Sequence, residues 1–211
     1  MQRAAGEGRK TSAENHPGVF GLLAEKQGLD PKKDLNLRYV ASPLDAMQLL
    51  ITRRVDHALL AEPAVSMALR KTQSFPIRLI APELYRSVDL QQEWGRLHAK
   101  EARIPQAGIA VTGKTLANDA LQAKVMAAYK YSLDWCQQHA LKCGEMVAKR
   151  IDLLTPEAVA DSLAVSQMRH VSGQAARNEL QFFFSQLIAE SPALVGGKLP
   201  DDRFYGAAGQ P

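Results

Sequence analysis

Hydrophobic and polar positions between residues 15 and 81 switch repeatedly between two periods. Val19, Phe20, Leu22 and Leu23 mark one face of a helix that opens near Pro17 and can be capped by Gly28. "LNLRYV" (35–40) alternates apolar and polar residues, the period of a strand. Ser42-Pro43-Leu44-Asp45 follows as a capping-box-like start with proline at the first helical position. Leu44, Met47, Leu50 and Ile51 supply that helix's apolar face. "HALLA" (57–61) reads as a short buried strand, Pro63 opens a helix reaching about Lys71, and "IRLIA" (77–81) reads as a further strand. Helix and strand alternating with short connections predict an α/β fold, a parallel sheet with flanking helices.

The pattern loosens over 82–103, where Trp94 and His98 lie among charged residues, and "IPQAGIAVTG" (104–113) holds another predicted strand. Long helices dominate beyond it: "LANDALQAKVMAAYKYSLDWCQQHA", then "PEAVADSLAVSQ" with Thr155 as its N-cap, then roughly 173–190, before the turn-rich "GGKLPDDRFYG". The expected organisation is a polar, flexible leader (1–14), an α/β lobe with crossover strands (15–111) and a helical C-terminal segment (112–211). No internal repeat is evident.

"ALLAEPA" (58–64) poses the sharpest question, because a carboxylate and a helix-starting proline end what reads as a buried strand. Parallel sheets bind ligands outside the carboxyl ends of their strands, where helix N-termini converge. Ser42, Glu62 and Pro63 occupy such positions, and Asn15 and His16, ahead of the first helix, line the same rim. Backbone N–H groups there can hold an anion. Glu62 has a second reading, as a first-turn carboxylate facing a helix dipole. Ser42 caps its helix and, beside a cleft, can also touch a ligand.

Composition narrows the function classes. With 26 Lys+Arg against 22 Asp+Glu the net charge is +4, the basic residues are scattered, and no aromatics interleave with them as a nucleic-acid surface requires. No apolar run approaches the ~20 residues of a membrane span, and the first residues lack the apolar core of a secretory signal. Cys136 and Cys143 match no zinc spacing. On one unbroken helix they would stand ~10 Å apart, too far to bridge, so a disulfide requires the helix to end near Ala140–Leu141; two free thiols are the alternative.

"GIAVTGKT" (108–115) matches the phosphate loop of nucleotide hydrolases, with Lys114 and Thr115 as its phosphate and magnesium contacts. Its context is unsuitable: "ARIPQA" precedes it instead of an apolar strand, and Ile-Ala-Val-Thr is itself strand material. No serine elbow, distinctive cysteine or carboxylate pair marks a catalytic centre, and no cofactor is expected.

"LDPKKDLNLRYVASPLDAMQLLITRRVDHALLAEPAVSMAL" resembles the periplasmic solute-binding proteins of the nitrate, sulfonate and taurine ABC importers, including relatives that bind thiamine-pyrimidine precursors. Arg53–Arg54 stand where that group usually has glycine, and His57 where it has alanine. "IPQAGIAVTG" and "GGKLPDDRFYG" resemble the group's middle strand and C-terminal turn. The resemblance implies a type II periplasmic-binding fold, two α/β lobes closing on a small organic solute, which a membrane permease then receives. It implies Glu62, Ser42 and the start of the first helix at the cleft, with the opening strands of lobe one lacking. The same fold also carries pyrimidine-precursor synthases, but their cysteine-rich iron motif and pyridoxal lysine are not found here. The expected function is therefore solute binding rather than catalysis, in the periplasm.

Overall fold

The structure is a computed structural model that describes residues 18–100, 103–111, 113–166 and 168–206. The leader (1–14) and the candidate site residues Asn15 and His16 lie outside the described residues. The α-helices are α1 Gly18–Lys26, α2 Pro43–Ile51, α3 Ala64–Gln73, α4 Leu90–His98, α5 Gly113–Leu116, α6 Asp119–Gln138, α7 Ala140–Ala148, α8 Pro156–Ser166 and α9 Arg177–Glu190. Short 3-10 turns cover Ile77–Leu79, Pro192–Val195 and Asp202–Tyr205.

Two compact units divide the chain out of sequence order. Among the described residues, the first takes 18–37, Ser87–Gly108 and 171–206; the second takes Arg38–Arg86 and Ile109–His170. In the first unit, α1, α4 and α9 enclose Leu22, Leu23 and Trp94, with Val19, Leu90, Leu97, Phe182 and Phe183 packed around them. The Trp94 ring lies 4.1 Å from His98 and within 6 Å of Phe182 and Phe183, centre to centre. Asp89 starts α4 by accepting the Gln91 and Gln92 N–H groups, and Leu90, Trp94 and Leu97 then fall on one face.

The second unit is built around α3. Residues four apart share a helix face, and α3 uses three such rows differently. Ala64, Ala68 and Thr72 are buried. Glu62, Ser66 and Arg70 form a polar row, while Met67 and Lys71 turn toward α2. On another side, α7 packs against α8 at Gly144, where an added Cβ would meet the Pro156 carbonyl oxygen at 2.2 Å.

Helices α6 and α7 are separated by His139, with φ −128° and ψ 48°. Across that break Cys136 and Cys143 are disulfide-bonded, their Cα atoms 5.1 Å apart. The helix end that a bridge required is therefore present, one or two residues earlier than the sequence suggested.

The parallel sheet is not. Among the described residues there is no β-strand, so the α/β, type II periplasmic-binding-like architecture expected from the sequence is corrected to an all-helical one. Local features weigh against three of the predicted strands. Pro76 sits in a helical-turn geometry, and Leu79, Ile80 and Ala81 donate to carbonyls three or four residues back, closing 77–81 into a turn instead of a ladder. In "LNLRYV" Asn36 and Arg38 interrupt the near-continuous apolar run that a doubly covered parallel strand needs. "HALLA" is short and runs into a proline that has no N–H to donate. Without a neighbouring strand their apolar side chains meet water: Tyr39 is 58%, Leu59 60% and Ile80 79% exposed. Residues 103–111 are likewise without regular structure.

Two substitutions test these packing arguments. Gly144→Ala forces a methyl into the Pro156 backbone and is expected to destabilise the second unit by about 1–3 kcal/mol, the usual range for overpacking. Trp94→Ala empties the centre of the first unit and is expected to cost about 3–5 kcal/mol. Urea unfolding at neutral pH, followed by circular dichroism, measures both.

Candidate functional site

The second unit contains a cleft of about 470 Å³ between α2, α3 and the connection that follows α7. Its α2 side carries Ser42, Leu44, Asp45, Met47 and Gln48; α3 contributes Met67 and Lys71, and the connection contributes Asp152 and Leu153. The local sequence explains each placement. Ser42 begins α2 as its N-cap, its Oγ accepting the Asp45 N–H at 3.2 Å and donating to Asp45 Oδ2 at 2.9 Å. Pro43 then fixes the first helical residue. Met67 and Lys71 are four apart on α3, which puts a thioether and an ammonium side by side along the wall.

Charge is distributed unevenly around this cleft. Asp45 is already engaged by Ser42. Lys71 and Asp152 form no ion pair among the described residues. Half-buried Lys71 therefore offers a cation, and exposed Asp152 an anion, to whatever enters. The apolar lining comes from Leu44, Met47, Met67 and Leu153, of which Met47 is buried.

Glu62 and Pro63 are placed elsewhere. Pro63 precedes α3 and its carbonyl accepts the Met67 N–H at 3.0 Å. Both oxygens of the Glu62 carboxylate are occupied: Oε2 accepts the Ser66 N–H at 3.1 Å and Oε1 accepts from Arg86 at 2.5 Å. The same Arg86 nitrogen donates to the Ser66 hydroxyl at 3.0 Å. One turn further, Arg70 grips Asp161 of α8 through two bonds, 2.5 and 2.9 Å. These four charges form a neutral array that ties α3 to α8 and to Arg86, and the Arg70 hydrogen bond holds the Asp161 carboxyl below its ordinary range. Of the sequence-derived candidates, Ser42 lines the cleft and Glu62 belongs to the ionic array.

Lys71, Asp152 and Met67 were not singled out by sequence reasoning. Lys71 read only as the end of a helix, and nothing in the order of residues announces that 152 returns to 42. The phosphate-loop match has little support in its setting. Residues 103–111 supply no strand before Gly108, and Gly113–Leu116 is a single turn of helix. Among the described residues no group of His, Cys, Asp and Glu side chains could hold a metal ion, and no helix is long and apolar enough to cross a membrane. No protein-family model, curated protein or solved structure matches the chain.

The Arg70–Asp161 pair sets a pH dependence. A carboxylate whose folded pKa is depressed contributes stability above its unfolded pKa of about 4, and loses it as pH falls through the folded value. Both side chains are more than a third exposed, so solvent screening keeps the contribution of the pair under about 1 kcal/mol. Asp161→Asn should therefore be slightly less stable than the parent at neutral pH. The gap should close once acid has protonated Asp161, as urea midpoints collected across the acid limb would record.

Proposed function

We propose that the protein binds a small zwitterionic solute in the cleft of its second unit, an amine joined by a short carbon chain to a sulfonate or carboxylate. The observation that carries this reading is the presence of Lys71 and Asp152, neither with an ion-pair partner among the described residues, on a cleft whose apolar lining is methionine and leucine. Lys71 suits the acidic end, since a cationic donor to an anionic oxygen is a strong hydrogen bond. Asp152 suits the ammonium, Ser42 and Gln48 offer neutral polar contacts, and Met47 and Met67 accept the carbon chain. A cleft of about 470 Å³ lies within the range of small-molecule sites.

Taurine, one of the solutes named by the sequence resemblance, has this charge pattern, and delivery to an ABC permease in the membrane belongs to the same proposal. The site proposed is not an interlobe cleft, which would need the sheet that the described residues lack. The Cys136–Cys143 bridge supports an oxidising compartment, with which a periplasmic location agrees.

Calorimetric titration of the full chain with taurine, a short amino acid, nitrate and an aminopyrimidine tests the reading. Taurine or the amino acid should bind, and nitrate should bind far more weakly. Lys71→Met and Asp152→Asn should each weaken binding by about ten- to a hundredfold, the worth of a charged hydrogen bond. Binding that survives both substitutions, or no heat from any zwitterion with a folded chain, would remove the proposal.

A further inference from the structure

We infer that Cys136 and Cys143 form a thiol–disulfide switch that sets whether residues 119–148 make two helices or one. The break at His139 has no local cause. From Asp119 to Cys143 the chain contains neither glycine nor proline, and "QQHALK" around the break is rich in good helix formers. His139 stacks on Trp135 at 4.9 Å and its Nδ1 lies 3.0 Å from the Trp135 carbonyl, contacts between residues four apart that a continuous helix would also allow.

The bridge itself supplies the cause. Seven residues of continuous helix span ~10 Å, whereas a disulfide needs Cα atoms roughly 4.4–6.8 Å apart. The observed 5.1 Å is reached only by bending the chain between the two sulfurs. The bend has a consequence for the backbone. The N–H groups of Ala140, Leu141 and Lys142, the first three of α7, make no backbone hydrogen bond to the carbonyls of Cys136, Gln137 and Gln138. His139 still donates to Trp135, and Cys143 still donates to His139, so the ladder is interrupted only across those three residues.

Asymmetric burial decides which part can move. Cys143 and Gly144 are buried where α7 meets α8, while none of the twenty residues of α6 is buried. Reduction would therefore leave α7 on α8 and let α6 swing into line with it, giving up the Gln137 side-chain bond to the Met168 carbonyl and the Tyr129–His170 ring contact and restoring the three missing bonds. In the chemical step a dithiol reductant supplies two electrons and two protons. The Cys136–Cys143 bond breaks to give two thiols, and the reductant leaves as its own disulfide; exchange with a disulfide donor runs the step in reverse.

Amide hydrogen exchange on the full chain, followed by NMR with and without dithiothreitol, distinguishes a switch from a staple. A staple only loses protection when cut. A switch gains it at Ala140, Leu141 and Lys142, by about tenfold or more, as they enter a helix, while Val159 and Ser162 of α8 hold theirs. The double variant Cys136→Ser, Cys143→Ser should reproduce the reduced pattern, and adding His139→Pro should return the three amides to their oxidised exchange rates. Unchanged or faster exchange at those amides on reduction overturns the inference. So does collapse of protection across α8, because the reduced chain would then have no second folded arrangement.

Discussion

The second unit depends on a contact that only glycine permits. At Gly144 the Pro156 backbone comes so close that no side chain fits, which seats α7 on the first turn of α8. Two consequences follow from that seat. Asp161, one and a half turns along α8, is delivered to Arg70 of α3. The connection between α7 and α8 is short, so Asp152 and Leu153 are returned to the mouth of the cleft beside α2. Backbone proximity at one point thus positions side chains that are ninety-one residues apart in the chain, a distance over which no local propensity acts.

That separation explains what could be read from the sequence. Helices α1, α2, α3 and α8 were legible because their signals are local: Pro43 behind Ser42, Pro63 ahead of α3, Thr155 accepting the Ala158 N–H at 3.2 Å. Helix α4 was missed, since 82–103 read as less regular among its charges, although Asp89 with Leu90, Trp94 and Leu97 behind it carries the local signals of a helix. The strands were misread for the opposite reason. Alternation over five or six residues describes a segment that could pair, and pairing needs a partner whose presence is a tertiary fact. Around Pro76 the local turn bonds won; at 35–40 and 57–61 the chain remains without a ladder, its apolar side chains in water.

The site divides along the same line. Ser42 was visible as a cap, and caps are written in neighbouring residues. The fate of Glu62 was not visible, because the residue that claims it, Arg86, lies twenty-four positions away. Reading Glu62 as a helix-start carboxylate captured part of its role, since it accepts the Ser66 N–H, but the ion pair with Arg86 is a product of folding.

Helical geometry then separates structural charge from available charge on α3. Successive residues on a helix point about 100° apart, so Arg70 and Lys71, though adjacent, face different neighbours. Arg70 faces α8 and is held by Asp161; Lys71 faces α2 and meets no carboxylate partner among the described residues. A cation already paired would have to surrender that partner before gripping a ligand, whereas one facing an open cleft surrenders only water. The difference in availability between these two cations is therefore fixed by one residue of helical rotation. It gives the Lys71 face, rather than the more conspicuous cluster around Glu62, the chemistry of a binding site.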